Sequence, residues 1–136
     1  MKLYKLGKKD KALIEIAKEV IEKNRIESEA LSSSVGAALL TNKGNIYVGV
    51  NIESHSSAPT SICAEMGAIA NMFASGERKI KTIVAVHMRA GWKRGRVLQP
   101  CGACRHIISQ FGNPWVIISK TKKTRLSDLY PMPVKE

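Results

Sequence analysis

The sequence predicts an α/β fold, a three-layer α/β/α sandwich around a central mixed sheet. Helix-period apolar patterns near residues 11–24, 62–75 and 101–111 alternate with short apolar runs at 35–40, 46–50, 81–88 and 115–119, giving the order α-β-β-α-β-α-β. The runs "KTIVAVHM" and "WVIIS" are apolar with little alternation, as expected of strands covered on both faces. A chain of 136 residues, 44% of them hydrophobic, is long enough to bury one core without staples, so 1–136 reads as a single domain.

Asp10 is expected to cap a first helix over Lys11–Asn24, with Leu13, Ile16, Ala17 and Val20 on its inner face. A polar, Ser-rich joint follows. Val35–Leu40 and Ile46–Val50 read as a hairpin that turns at "TNKGN". The second helix is expected from Ile62 to Ser75, with Ile62, Met66, Ile69, Ala70 and Phe73 sharing a face and Gly76 ending it. Lys81–Met88 is the next strand. The third helix starts at Pro100 and runs to Phe111, with Cys104, Ile107, Ile108 and Phe111 on one side and Gly112 as its stop. Trp115–Ser119 is the last buried-type strand, and "TRLSDLYP" suggests a short closing helix.

Composition narrows the function classes. The basic start has no apolar h-region behind it, and no apolar run is long enough to span a bilayer, so a cytoplasmic protein without a membrane role is expected. Three cysteines, an odd number, argue against a disulfide framework and leave reduced thiols for metal. The formal net charge of +11 admits nucleic acid or an anionic ligand. Its densest cluster is "RAGWKRGR", Arg89–Arg96, where Trp92 stands among four basic residues; a solvated glycine-rich loop is the favoured explanation.

The thiols fall at two expected helix starts. Cys101 and Cys104, three apart in one turn, can put both sulfurs on one face and share a metal. Cys63 opens the second helix, with Glu65 two residues on. In a regular helix these two would point about 200° apart, so the pairing works only if Cys63 is the non-helical cap. Three thiolates would give Zn²⁺ a formal excess of negative charge, which two helix N-termini offset in part. Arg105 is placed to help by donating to a thiolate. A redox C-x-x-C would need neither Cys63 nor Glu65. A closed structural zinc site would need a fourth ligand from His55, His87 or His106, of which His55, in a flexible loop, is the best placed. Such a site would make the chain a non-catalytic, zinc-stabilised nucleic-acid or interaction module.

"CAE" followed by "PCGAC" resembles the cytidine deaminases of the small, three-cysteine type, and the resemblance runs from "SVGAALL" through "WVIIS" to "LSDLYP". It implies a cytidine-deaminase-like fold, zinc held by Cys63, Cys101 and Cys104, and Glu65 as the proton-shuttling catalytic residue. It also implies a homotetramer and a nucleoside-like substrate held by Asn51 and Glu53 of "NIE", with Ala64 beside it. The implied reaction is hydrolytic deamination at carbon 4 of an aminopyrimidine. The sequence departs from the nucleoside enzymes at four places: Met66 where Arg is usual, His106 where Gln is common, Ser33 where an aromatic is found, and a tail without the base-stacking phenylalanine. Trp92 and Tyr130 are candidate replacements for the missing aromatics. The blasticidin S deaminases share the three-cysteine site and an apolar residue after "CAE", which makes them the alternative substrate class. A polynucleotide substrate ranks lower, because polynucleotide deaminases use H-x-E.

Overall fold

The computed structural model describes residues 1–133. Its main sheet has seven strands: β1 (Tyr4–Lys5), β4 (Val35–Thr41), β5 (Ile46–Val50), β7 (Ile80–His87), β8 (Arg96–Leu98), β9 (Trp115–Ile117) and β10 (Lys122–Arg125). Six of them lie in the order β1-β10-β9-β7-β4-β5, and β8 branches off by pairing with β7. One neighbouring pair, β7 with β9, is parallel, and the others are antiparallel. A parallel pair needs a crossover, and α3 (Gly102–Ser109) lies in that connection. β9 takes the first half of the β7 edge, at Thr82 and Ile83, while β8 takes the second half, from Ala85 to His87.

The mixed sheet has helices on both faces, as the apolar pattern predicts. Successive residues of a strand point to opposite faces, and the core divides accordingly. Leu39, Ile83, Ala85 and Val116 join Ala68, Met72 and Ile108 of α2 (Ala64–Ala74) and α3 on one side. Ala38, Val84, Val86 and Ile117 meet Leu13, Ala17 and Ile21 of α1 (Lys8–Asn24) on the other. Ile21, Leu39, Ile83 and Ile108 are fully buried, each worth about 1.5–3 kcal/mol. The exposed helix pairs Lys18–Glu22 and Lys23–Glu19 add only about 0.3–0.5 kcal/mol each, so apolar burial decides the stability.

Several expected details change. Helix α1 starts at Lys8, not Lys11, so Asp10 is its third residue and not its cap. The Asp10 carboxylate instead accepts from the Gly7 N–H at 2.8 Å and pairs with Lys123 at 2.7 Å. Its inner face is set by Leu13, Ala17 and Ile21. Helix α2 turns inward Ala64, Glu65, Ala68, Ile69 and Met72, while Ile62 and Phe73 are 41% and 49% exposed. The reason lies at Gly49: a Cβ there would run into the backbone of Ala64, Gly67 and Ala68. Helix α2 therefore lies directly on β5, and its small-residue side faces the sheet.

The Ser-rich joint is structured. It contributes β2 (Ile26–Glu27) and β3 (Leu31–Ser33), which with β6 (Glu53–Ser54) make a three-stranded sheet in the order β2-β3-β6. The closing helix is present as α4 (Leu126–Leu129). Among the described residues no helix is long and apolar enough to cross a membrane.

Beyond α2, the buried Glu77 accepts from Tyr47 Oη at 2.7 Å and Asn45 Nδ2 at 2.9 Å. Hydrogen bonds from the Thr41 hydroxyl, Tyr47 and Asn45 hold its carboxyl below the ordinary value of 4.5. A carboxyl lowered by folding stabilises above its unfolded pKa, and that contribution is lost as pH falls through the folded one. The Glu77→Gln variant should therefore lose less stability than the parent between about pH 7 and pH 3.5. Urea unfolding at both pH values measures the difference; equal losses would remove Glu77 as an acid-sensitive tie.

Candidate metal centre and active site

Each cysteine position follows from how a helix starts. Cys63 is the N-cap of α2 (φ −79°, ψ 154°) and Cys101 the N-cap of α3 (φ −68°, ψ 173°), both extended. First-turn N–H groups have no partner inside their helix and carry the positive end of its dipole. A cap sulfur is therefore offered N–H donors: Cys101 Sγ accepts from the Cys104 N–H at 3.5 Å. With Cys63 outside the helical phase, Glu65 comes to lie in the first turn of α2, on the buried side.

The three sulfurs lie within 4.8 Å of one another, and Cys63 Sγ is 3.9 Å from Cys101 Sγ. Tetrahedral zinc with Zn–S bonds of about 2.3 Å places its sulfurs about 3.8 Å apart, so the donor set and its spacing fit zinc. Cys104 is buried, Cys63 half-buried and Cys101 exposed. Burial, then the nearby Glu65 carboxylate, pushes the Cys104 thiol strongly up, and burial also raises Cys63. Cys101 goes the other way: burial opposes its ionisation, but the N–H groups of Cys104 and Ala103, with the neighbouring thiols, bring it down. Binding a cation must release the protons that remain on the other two. Glu65 is 7% exposed, and burial lifts its carboxyl above the usual 4.5.

No histidine completes a closed tetrahedron. His55 has both ring nitrogens engaged, with the Glu29 carbonyl and the Ser32 hydroxyl, each at 3.2 Å. His87 accepts from Arg89 Nε at 3.0 Å, and His106 meets Tyr130 Oη at 2.9 Å. The sulfurs instead face a cleft of about 460 Å³, of the size that takes a small molecule. Asn51, Glu53, Ala64 and Glu65 all line it. Asn51 Oδ1 accepts from the N–H groups of Ser34 and Val35, both at 2.9 Å, which fixes the amide's orientation and leaves its NH₂ as the group to offer a ligand.

Other expectations are corrected. Arg105 does not donate to a thiolate; its guanidinium holds the carbonyls of Pro100 at 2.8 Å and Leu129 at 3.0 Å. It ties the loop before Cys101 to the end of α4. Within the single chain neither Trp92 nor Tyr130 lines the cleft, and no aromatic among the described residues does, which leaves open only a contribution from a second subunit. Ser33 is buried behind Asn51, its hydroxyl 3.4 Å from Oδ1. Part of the unusual tail, residues 134–136, lies outside the described residues. Sequence reasoning missed Leu98 and Gln99, which form a wall of the cleft. Their signal was the apolar "VL" before "QPC", the one strand-like step in the basic loop.

The pattern for "Cytidine and deoxycytidylate deaminase zinc-binding region" matches residues 7–120, which include every residue of the cluster. The chain belongs to that family. It is 32% identical to the blasticidin-S deaminase of Bacillus cereus over 139 residues, covering 97% of this chain and 96% of that one. It is 40% identical to the cytidine deaminase of Sporosarcina psychrophila over 79 residues, or 58% of this chain and 54% of that enzyme. Among solved structures, the cytidine deaminase of Burkholderia pseudomallei superposes with a TM-score of 0.73 at 32% identity, covering 90% of this chain and 97% of that one.

Separate substitution of Cys63, Cys101 and Cys104 by alanine should each lower the zinc content of the purified protein well below one per chain, and His55→Ala should leave it unchanged. Elemental analysis reads this directly. Zinc retained in Cys63→Ala and lost in His55→Ala would move the site to the loop histidine.

Proposed function

We propose that this family member is a zinc-dependent hydrolytic deaminase that replaces the 4-amino group of a cytidine-type nucleoside by a carbonyl and releases ammonia. The observation that carries the reading is the placement of a buried Glu65 beside three convergent sulfurs, at the floor of a cleft that also holds Asn51 and Glu53.

Cys63, Cys101 and Cys104 would hold the zinc, which when bound supplies Lewis acidity toward a water at neutral pH. Glu65 has the environment of a general base: burial keeps bulk water away and raises its proton affinity. It takes a proton from the attacking water, passes it to the ring nitrogen, and assists departure of the amine as ammonia. One water is consumed for each ammonia released. Asn51, locked through its oxygen, offers its NH₂ to the sugar, and the Glu53 carboxylate at the cleft rim accepts from a hydroxyl. Ala64 presents a small surface next to the reacting ring, and Arg105 sets the Pro100–Cys101 backbone from behind.

The substrate has a second reading. The blasticidin-S deaminase aligns over nearly the whole of both chains, and Met66 follows Glu65 in place of the usual Arg. The cleft also has no aromatic stacking partner among the described residues, a contact worth about 1–3 kcal/mol per base. Assembly into a homotetramer belongs to the same proposal: Ile62, at the cleft, and Phe73 are two large apolar side chains left outside the core of the isolated chain. Three reduced thiols fit the reducing cytoplasm.

Ammonia release should be assayed with zinc-loaded protein and cytidine, deoxycytidine, CMP, blasticidin S and a cytosine-containing oligonucleotide in parallel. Turnover of the nucleosides supports the first reading, and turnover of blasticidin S alone the second. Release from none would return the site to a structural role. Glu65→Gln should lower kcat by at least about 10²–10⁴-fold with zinc content unchanged. A variant that keeps substantial activity would sink the assignment of Glu65.

A further inference from the structure

A second cavity lies on the opposite face of the sheet from the cysteine site. Ala85 of β7 lines the active-site cleft, and the next residue, Val86, lines this one. Its volume is about 580 Å³. Five cations from three separate segments converge on it: Lys11 and Lys18 of α1, Lys93 and Arg94 of the β7–β8 connection, and Lys120 of the β9–β10 turn. Glu15 is the single acid in its lining. Among the described residues only Lys18 has a carboxylate within ion-pair distance, Glu22 at 3.8 Å. Four positive groups are thus gathered around one concavity without a partner, and a cleft lined by one sign of charge concentrates its field.

The basic "RAGWKRGR" stretch is also held in place. His87 and Arg96 pair across β7 and β8. The Trp92 ring stands edge-on to His87 at 5.2 Å between centroids, and Arg89 Nε donates to the same imidazole. At Gly95 a Cβ would strike Val86 and crowd Met88, so the loop lies directly on the strand, with Lys93 and Arg94 beside α1. A merely solvated loop would need none of these ties.

We propose that this cavity is a binding site for a polyphosphate anion, two or more linked phosphoryl groups presented by inorganic polyphosphate or by a nucleoside triphosphate. A compact, highly charged anion matches both the concavity and the number of unpaired cations. A diffuse polyanion such as RNA would spread its charge along an open surface.

The test is calorimetric titration of the zinc-loaded protein with inorganic tripolyphosphate, ATP and an RNA hexamer lacking terminal phosphate. Tripolyphosphate and ATP should bind at one per chain, and the stronger of the two identifies the source of the phosphates. The Lys93→Glu/Arg94→Glu double variant should weaken both by at least about tenfold, since charge-assisted contacts are lost and repulsion is added. Lys43→Glu/Lys79→Glu makes the same charge change near the start of β7, away from the cavity, and should stay within about twofold of the parent. Zinc stripped by a phosphate chelator would register alike in all three proteins, because the cysteines are unchanged. Lys120→Ala, a milder change, should also weaken tripolyphosphate, by a smaller factor. The proposal fails if neither phosphate ligand binds the parent, if the two double variants lose affinity equally, or if the hexamer binds and tripolyphosphate does not displace it.

Discussion

Three sulfurs brought within bonding reach of one cation form a cluster that becomes anionic as it is occupied, and the rest of the fold is arranged around tolerating that charge. Burying negative charge is costly without compensation. Here the compensation comes from backbone: two helices begin at Cys63 and Cys101, which brings their positive ends to the cluster, and Cys101 Sγ accepts the Cys104 N–H. This requires α2 and α3 to lie on the same face of the sheet with their starts together. Gly49 allows the first by letting α2 rest on β5, and the crossover between the parallel strands β7 and β9 delivers the second. The opposing shifts of Cys101 and Cys104 express the same arrangement, since one thiol meets donors and the other meets a dry core and a carboxylate.

The polar groups around the cleft are also pre-positioned by backbone. Asn51 is held by the N–H groups at the turn from β3 into β4, and the small β2-β3-β6 sheet carries Glu53 to the rim. Arg105 works through two carbonyls, and so braces the backbone that leads into Cys101. Groups held this way need little reorganisation when a ligand enters, which is the useful property of a preformed polar site.

How much of this was legible in the sequence depends on whether the signal was local. The Cys101–Cys104 pair was legible because cap and i,i+3 geometry are set by local spacing, whereas the joining of the distant Cys63 to it was implied only by the resemblance of "CAE" and "PCGAC" to a known family. The long strands showed as apolar runs. The inner face of α2 did not, because Ile62, Met66 and Phe73 on one side compete with Ala68 and Met72 on the other, with Ile69 between the two. Periodicity cannot choose between two apolar faces, and the contact with Gly49 makes the choice. The two-residue strands were invisible for a different reason: Tyr4–Lys5 pairs with Lys122–Lys123, and nothing local marks a partner so far along the chain. Arg105 was placed correctly on α3, but its reach toward Leu129 depended on where α4 packs.

The joining of β1 to β10 has a kinetic side. Lys123 grips Asp10 across a sequence separation of 113, and Asp10 in turn holds the N–H at the start of α1. Contacts this distant close large loops, whose entropy must be spent before the contacts form. The edge made by β1, β10 and the first turn of α1 is therefore expected to consolidate late in folding, after β4, β5 and β7 have assembled through shorter separations. Proteins with such late-closing edges expose them again first when they open locally. The metal cluster lies away from that edge, and its link to the C-terminal part runs instead through α4, whose Leu129 carbonyl Arg105 holds.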